Sequence, residues 1–518
     1  MSNMSRRAFM GLGVAGAAAA AMPGLCYTAV AAEDATEATP SFLVKPAEVT
    51  EFAATHEYEV VIVGAGISGT SAALTAAREG LSVAVVQDRE EPYSQGNMGA
   101  ALDMERTSAA GRAALISKLI ELSAHRADRA LLEAWADNST AALTQMREAS
   151  SAGGVDVNED EPDADRHLVV NGYDVYLRAN TYFRIGHGEV VKAVAPAAQE
   201  AGAEYFFEMP AVQLAQDAEG RVTGVVCQNA EGAYELFSAS KGVVLATGCY
   251  GNNAEMVNYY CPDLNGFYPY MVGKRGDGHK MGVWAGGRIE PIGHTKMVHD
   301  ARVCRADAPY LLVNYKGERC LCEGPLQGYL NNYVRGYVKE SGDALVGGNL
   351  FTVTDAKWRD QAAEWAQTNP EINIRTCVVY YEGNTLEEAV AAAAADGYSI
   401  DAEQLAATVE RYNELAAKGE DDDFGKAAEY LCAIDEPPFV IVPHDFGLGL
   451  SAVLGGLVVD VDGHVLAAGD DMPVEGLYAV GNCAGGFYGG ADYPMDVLGL
   501  SIGRAITDGY RVGKKLAE

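Results

Sequence analysis

The sequence is short of positive charge. Its 518 residues include 38 Lys and Arg against 72 Asp and Glu, a formal net charge of −34. Such a chain repels nucleic-acid phosphates and anionic lipid headgroups, which makes nucleic acid a poor candidate partner. Hydrophobic residues make up 49% of the chain, enough to bury a sizeable interior, so wholesale disorder is excluded. The length predicts about two or three domains.

Paired cysteines and histidines are also missing. The ten cysteines form no Cys-x-x-Cys pair, which argues against a dithiol redox centre, an iron–sulfur cluster of ordinary spacing and a Cys-x-x-Cys-His haem site. We expect mainly buried thiols, because Cys320 and Cys322 are too close for an easy disulfide with each other. No Cys/His cluster has metal-ligand spacing, so no metal site is predicted.

Long apolar runs are absent beyond the N-terminus, so no membrane span is expected there. The chain starts with Arg6-Arg7, a small apolar run over 11–21, and Ala29-Val-Ala31 as a cleavage site. This pattern predicts a twin-arginine export signal over 1–32 and a periplasmic or cell-surface location. A membrane anchor is the alternative, but it needs ~20 apolar residues. Residues 33–55 resemble a linker.

A glycine-rich turn follows the linker. The apolar strand Tyr58 to Val63 leads into Gly64-Ala-Gly66-Ile-Ser-Gly69 and an Ala-rich helix that ends at Glu79. This context predicts a dinucleotide-binding fingerprint. Gly64 permits the tight turn, Gly66 lets the backbone approach a pyrophosphate, and Gly69 lets helix and strand pack closely.

The second strand, Ser82 to Val86, ends at an unusual residue. Gln87 stands where an acidic residue normally binds the ribose, and Asp88 follows it. Either side chain could form that hydrogen bond.

Three distant segments favour a flavin over a nicotinamide. Ser94-Gln95-Gly96-Asn97 forms a polar loop after the second strand, and a buried strand ends at Thr247-Gly248. Another strand ends at Gly481-Asn482 and is followed by a helix that begins near Leu498-Gly499. Farther from these segments, amphipathic helices are expected around 385–395 and 401–418, and the acidic run 420–423 after them as a solvated turn.

These segments resemble the flavoprotein family of soluble fumarate reductases, succinate dehydrogenase flavoprotein subunits, urocanate reductases and 3-ketosteroid dehydrogenases. Gly276-Asp277-Gly278, Gly317-Glu-Arg319, Gly455-Gly456 and Gly476-Leu-Tyr-Ala-Val-Gly-Asn482 match it, within a resemblance that runs from about residue 57 to the C-terminus. It implies an α/β fold with a Rossmann-like FAD-binding domain in two segments, 56–287 and 438–518, and an inserted α+β cap, 288–437.

The resemblance also implies the cofactor contacts. Amides around Leu498 and Gly499 would face the flavin pyrimidine ring, where a helix N-terminus stabilises negative charge. Ser68, Val212 and Asp277 are further expected contacts. Covalent members use a histidine near the loop after the second strand, and 88–104 contain none, which favours noncovalent FAD.

The arginines that hold a dicarboxylate in fumarate reductases are replaced. Gln327 stands at the position of the catalytic arginine, Ser451-Ala-Val-Leu replaces the His-His segment, and Ala491-Asp492 replaces an Asn-Arg pair. A dianion would thereby forfeit charge-assisted hydrogen bonds worth roughly 1.5–3 kcal/mol each. Fumarate is therefore an unfavoured substrate.

Tyr493-Pro494 is similar to a Tyr-Pro-Gly pattern in 3-ketosteroid dehydrogenases, where the tyrosine hydrogen-bonds the ketone, although Met495 replaces the glycine. We expect Tyr493 to polarise a carbonyl, with a packing role as the alternative. Tyr329 and Gln327 lie beside the family's proton-donor position, and a tyrosine can protonate a carbanion whereas glutamine can only orient a group. His299 is the first-ranked candidate for the family's active-site histidine, ahead of His294.

These observations predict an exported FAD-dependent reductase that transfers hydride to an activated C=C bond of an enone, aromatic acrylate or steroid-like substrate. Without haem or iron–sulfur ligands, the chain needs a separate electron donor, such as a membrane cytochrome or quinol dehydrogenase. The alternatives are a 3-ketosteroid-type desaturase, a fumarate-type dicarboxylate reductase, or a flavin-bearing electron carrier with a vestigial site.

Overall fold

The structure is a computed structural model. It describes residues 39–96, 98–155, 157–158, 166–183, 188–264, 267–269, 271–298, 306–323, 350–368, 373–374, 379–444, 449–490, 493–494, 497 and 499–518. The predicted export signal and the candidate residues Asn97, His299, Gln327, Tyr329 and Leu498 lie outside the described residues. Within the described part of the chain, no helix has the length and apolarity needed to cross a membrane.

Helices and strands alternate along the chain. The first part contains β1 (Ala54–Val63), α1 (Ile67–Arg78), β2 (Val83–Val86), β3 (Met98–Leu102), α2 (Ala109–Leu122), α3 (Arg129–Ala152), β4 (Val157–Asn158), β5 (Arg166–Val170), β6 (Tyr173–Phe183), α4 (Glu189–Glu200), β7 (Ala203–Phe206), β8 (Ala211–Gln216), β9 (Val222–Gln228), β10 (Tyr234–Leu245), α5 (Ala254–Tyr260), β11 (Tyr268–Pro269) and α6 (Asp277–Trp284). The middle part contains β12 (Lys296–Met297), β13 (Ala306–Asp307), β14 (Leu311–Asn314), β15 (Leu350–Thr354), α7 (Trp358–Thr368), β16 (Asn373–Ile374), β17 (Tyr381–Gly383), α8 (Leu386–Ala395) and α9 (Ala402–Lys418). The last part contains β18 (Phe439–His444), β19 (Gly449–Leu450), β20 (Ala452–Val453), β21 (His464–Leu466), β22 (Pro473–Ala479) and α10 (Leu500–Lys515).

A central sheet has the strand order β21-β22-β10-β1-β2-β7, with β8 and β9 attached beside β10. β22, β10, β1, β2 and β7 pair in parallel. The carboxyl ends of these strands therefore meet at one edge, where open α/β sheets bind their ligands.

The apolar run of β1 is buried on both faces. Val60 and Ile62 pack into a hydrophobic cluster with α1, α4 and α10, whereas Val61 and Val63 belong to the cluster on the other side. A parallel strand covered on both faces needs this uninterrupted apolar sequence.

Helix α10 lies directly against α1 because glycines allow close approach. A Cβ atom at Gly509 would lie 2.2 Å from the Ser68 carbonyl oxygen, and one at Gly513 would lie 2.8 Å from Thr75 Cβ. This contact fixes the start of α10 beside the glycine turn that precedes α1.

A second, antiparallel sheet has the order β14-β15-β18-β17. β18 starts at Phe439, just beyond the predicted end of the cap at 437, and pairs with β15 and β17. The helices α8 and α9 confirm the two helices expected around 385–395 and 401–418. They pack on this sheet through Ala389 and Leu405, which belong to one cluster with Val353.

The acidic run 420–423 is not entirely a solvated turn, and that expectation was wrong for Asp421. Its side chain is fully buried and accepts two hydrogen bonds from Arg319, at 3.0 and 2.7 Å. Arg319 also donates to both oxygens of the buried Glu323, at 2.9 and 2.7 Å. The buried ammonium of Lys426 lies 3.5 Å from Glu323. The Gly317-Glu-Arg319 motif thus anchors the acidic turn to the second sheet.

Candidate functional site

A cavity lies at the carboxyl ends of β1, β2 and β10. It contains about 1020 Å³ of space that is partly open to solvent. Many of the residues predicted to contact a cofactor line it: Gly64, Gly66, Ser68, Gln87, Asp88, Gln95, Thr247, Gly248, Asp277 and Asn482. Residues from six separate chain segments are thereby brought to one place.

The glycine turn forms one wall of the cavity. Gly64 has a φ of +108°, and a Cβ atom at Gly69 would lie 1.9 Å from the Gly64 carbonyl oxygen. Gly66 precedes α1 and provides no side-chain cap, so the first amides of this helix are available to an anion. Gly69 does not line the cavity but allows the turn to close.

The other described residues that were predicted to contact the cofactor do not line the cavity themselves. A Cβ atom at Gly481, where φ is +60°, would lie 2.7 Å from Ser68 Oγ, and one at Gly96 would lie 2.9 Å from Ile502 Cδ1. Gly499, with a φ of +82°, is the N-cap residue directly before α10. Val212 sits at a register shift of β8, beside the cavity-lining Ala211. These residues shape the backbone around the cavity.

The two candidates for the ribose contact are engaged differently. Gln87 Oε1 accepts a hydrogen bond from the Ala65 amide at 3.3 Å, so this side chain supports the glycine turn. Asp88 accepts a hydrogen bond from Arg275 at 2.7 Å, and Arg275 also donates to Asp277 at 3.1 Å. Asp88 is therefore held at the cavity mouth by a residue that sequence reasoning missed. The signal was an arginine directly before the Gly276-Asp277-Gly278 motif.

Two buried polar atoms at the cavity wall have no hydrogen-bond partner among the described residues. They are Gln95 Oε1 and Asn482 Oδ1, and both side chains line the cavity. An unsatisfied buried acceptor costs free energy, so these atoms call for a ligand that donates hydrogen bonds. Together with the glycine turn, they fit a dinucleotide with polar groups at its ends.

The start of α10 also lines the cavity, with Ser501, Ile502 and Ala505. The Tyr493 hydroxyl accepts a hydrogen bond from the Ser501 amide at 3.1 Å and donates to the Val497 carbonyl at 3.5 Å. Burial raises the pKa of Tyr493 well above its usual value. The hydroxyl therefore stays protonated and lies beside the positive end of a helix dipole.

Buried histidines lie next to this wall. Burial, together with His294, lowers the pKa of His279 to about 4, and neither of its ring nitrogens makes a hydrogen bond of good geometry within the described residues. His294 Nδ1 lies 2.5 Å from the Tyr250 hydroxyl. A Cβ atom at Gly455 would lie 2.3 Å from His294 Cγ, which explains a glycine there. No group of three or more His, Cys, Asp or Glu among the described residues is arranged to hold a metal ion.

The fold and the cavity define a flavoprotein. The family model described as "FAD binding domain" matches residues 59–493, and the chain belongs to this family. It is 25% identical over 512 residues to vinyl phenol reductase from Lactiplantibacillus plantarum, which covers 89% of this chain and 96% of that protein. It is 25% identical over 480 residues to urocanate reductase from Eggerthella lenta, which covers 83% of this chain and 70% of that protein.

Solved structures show the same fold. The open conformation of a flavocytochrome c3 fumarate reductase matches with a TM-score of 0.64 and 22% identity, covering 90% of this chain and 79% of that chain. The 3-ketosteroid-Δ4-(5α)-dehydrogenase from Rhodococcus jostii RHA1 matches with a TM-score of 0.62 and 22% identity, covering 91% and 98%. These matches confirm the predicted family, the α/β fold, the FAD cofactor and the class, an FAD-dependent oxidoreductase acting on CH–CH groups.

Proposed function

We propose that the protein is an exported reductase that saturates a C=C bond conjugated to a carbonyl or an aromatic group. When bound, FAD supplies the hydride chemistry. The observation that carries the proposal is the hydrogen bond between the protonated Tyr493 hydroxyl and the amide of Ser501, a residue at the start of α10 that lines the cofactor cavity. Both features stabilise negative charge.

Tyr493 is the proposed donor to the substrate carbonyl. Its hydroxyl oxygen accepts the Ser501 N–H at 3.1 Å, whereas its own proton points to the Val497 carbonyl at a long 3.5 Å. The second contact is weak at that distance, so a substrate oxygen can replace it. The first contact polarises the hydroxyl and strengthens it as a donor. We propose that Tyr329 then protonates the α-carbon, with Gln327 and His299 as the other sequence-based candidates for contacts with the substrate.

The substrate class follows from the charges. The basic residues among the described cavity-lining residues are Arg89, Lys274 and Arg275, and Arg275 pairs with Asp88 at the cavity mouth. At the Asn482 and Ser501 side of the cavity, the described lining residues are uncharged. With Gln327 and Asp492 in place of the family's arginines, this arrangement favours an aromatic or neutral substrate over a dicarboxylate. The names vinyl phenol reductase and urocanate reductase agree with that class.

Export and the electron donor belong to the same proposal. The Arg6-Arg7 signal pattern supports transport of the folded flavoprotein. We propose that a membrane cytochrome or quinol dehydrogenase then reduces it. A desaturase working in the reverse direction is the alternative that the Tyr493-Pro494 pattern favours.

An anaerobic assay tests the proposal. Purified holoprotein is supplied with reduced viologen and offered an enone, a cinnamate, a vinyl phenol or fumarate. We expect the first three classes to reoxidise the flavin faster than fumarate does. Robust fumarate turnover would contradict the argument from the missing arginines, and full turnover with NADH alone would contradict the separate donor.

A further inference from the structure

The loop 123–128, between α2 and α3, packs against the loop that carries Tyr493. The Asp128 amide donates to the Gly486 carbonyl at 2.7 Å. A Cβ atom at Gly489 would lie 2.4 Å from the Ala127 nitrogen, and one at Gly490 would lie 2.8 Å from Arg126 Nη1. Gly489 and Gly490 thus leave space for loop 123–128 and for the guanidinium of Arg126.

The loop that carries Tyr493 begins at the cofactor cavity. It follows Asn482, which lines the cavity, and leads to Tyr493, whose hydroxyl accepts a hydrogen bond from the amide of the cavity-lining Ser501. A Cβ atom at Gly490 would also lie 2.4 Å from the Gly293 carbonyl oxygen. Gly490 is therefore close to both Arg126 and Gly293, the residue before the candidate His294.

Loop 123–128 adopts an uncommon backbone conformation. Ala124 and His125 are consecutive non-glycine residues with φ values of 52° and 60°. Such residues cluster at ligand sites, where the surrounding structure compensates for their strain. Here the Ser123 hydroxyl oxygen accepts the Ala127 amide at 3.0 Å and closes the turn. The conformation fixes the direction in which Arg126 leaves the loop.

The charge of Arg126 is uncompensated within the described residues. In a chain of net charge −34, its exposed guanidinium forms no ion pair or hydrogen bond with a described residue. Burial lowers the pKa of His294, and the positive charge of Arg126 adds to this effect. The guanidinium is thus close enough to act on the interior beside Tyr493.

We infer that Arg126 is a specificity-determining residue that binds the carboxylate of an aromatic acrylate. This inference rests on the proposed function and narrows its substrate class. It supplies, from the α2–α3 loop, one positive charge next to Gly490, in a chain where Gln327 and Asp492 stand in place of the family's arginines. A guanidinium pairs with a carboxylate through two parallel hydrogen bonds. One such residue suits a monocarboxylate better than a dicarboxylate.

Matched substrates and variants test the inference. Reduced holoenzyme is reoxidised anaerobically by cinnamate or by its neutral methyl ester, in the wild type and in Arg126→Gln, Arg126→Lys and Arg129→Gln. Arg129 is the matched control, an exposed arginine three residues on that pairs with Glu133 at 3.3 Å. We expect Arg126→Gln to raise KM for cinnamate at least 30-fold while leaving the ester unchanged. Arg126→Lys recovers part of the loss, and Arg129→Gln behaves as wild type.

The outcomes distinguish a failure of the role assigned to Arg126 from a failure of the proposed function. An acid-to-ester preference that is the same in wild type and Arg126→Gln would overturn the role of Arg126 while the proposed function stands. Reoxidation by neither compound in the wild type would contradict the proposed function itself. FAD content and melting temperature, equal across the variants, exclude misfolding as the cause. Higher ionic strength should raise KM for cinnamate in the wild type but not in Arg126→Gln.

Discussion

Replacing Tyr493 by phenylalanine tests whether its hydroxyl donates a hydrogen bond to the substrate carbonyl or whether the side chain only packs in the interior. The ring keeps its buried place next to Tyr488, whose ring centroid is 5.8 Å away. The substitution removes the hydroxyl that accepts the Ser501 amide and donates weakly to the Val497 carbonyl. We therefore expect two effects, one on the reaction and one on stability.

The two effects have different sizes. A hydrogen bond to developing negative charge is worth about 1.5–3 kcal/mol, and a tenfold change in rate corresponds to roughly 1.4 kcal/mol. Loss of the donor should therefore slow hydride transfer to an enone about 10- to 150-fold. The Ser501 amide, left buried without its partner, should lower the free energy of unfolding by roughly 1–3 kcal/mol.

Rapid mixing measures the first effect. The flavin is reduced with viologen and mixed anaerobically with an enone, and its reoxidation is followed by absorbance. Ferricyanide, which takes electrons without a carbonyl contact, provides the reference rate. Tyr310→Phe is the control variant, because Tyr310 is buried in the second sheet's cluster and its hydroxyl also binds a backbone carbonyl, that of Trp358.

The two variants should differ in their rates of flavin reoxidation. Tyr493→Phe should lose the enone reaction and keep the ferricyanide reaction, whereas Tyr310→Phe should keep both and lose only stability. If Tyr493→Phe reacts with the enone within twofold of wild type despite a lowered melting temperature, the hydroxyl only caps α10. The packing interpretation of Tyr493 would then be correct.

Three further predictions concern the cofactor and the second sheet. Gly69→Ala should purify with less than a tenth of the wild-type FAD absorbance, because the new Cβ would lie 1.9 Å from the Gly64 oxygen, whereas Gly469→Ala, with nothing within 4 Å, should keep it. Acid precipitation should release all FAD into the supernatant, and a fluorescent protein band on a denaturing gel would show a covalent flavin instead. Although burial alone would raise the pKa of Asp421, its hydrogen bonds with Arg319 hold it well below its usual range. Asp421→Asn should therefore cost roughly 3–5 kcal/mol of stability at pH 7. This loss, measured by thermal unfolding, should shrink as the pH falls below about 4. A loss that is independent of pH would show that the charge of Asp421 does not stabilise the fold.

The glycine turn was predictable because its signal is local. An apolar strand, three spaced glycines and an Ala-rich helix are contiguous in sequence, and β1, Gly64–Gly69 and α1 reproduce them closely. Helices α8 and α9 were equally accessible, since each begins after a residue that caps it, Thr385 and Asp401, and has a continuous apolar stripe. Such features are fixed by residues within one or two turns of each other.

Contacts between distant charges were not predictable in the same way. Asp88 was a candidate ribose ligand and Asp421 part of an expected solvated turn, and neither sequence context identifies a basic partner. Asp88 pairs with Arg275, 187 residues away, and Asp421 with Arg319, 102 residues away. Only the tertiary fold selects these partners, because periodicity carries no information about which basic residue reaches which acid.

Because basic residues are scarce in this chain, their contacts with acidic residues can be used to interpret a basic residue that has none. With 72 acidic residues against 38 basic ones, most Lys and Arg side chains can find a carboxylate, and Arg275 and Arg319 each have two. A basic residue that the fold holds in place without such a partner is therefore informative. Arg126 meets that condition within the described residues, on a loop whose backbone is strained and whose neighbours are Gly489 and Gly490. The net charge of the whole chain makes nucleic acid a poor candidate partner, and the same excess of acid makes one uncompensated arginine evidence for an anionic substrate.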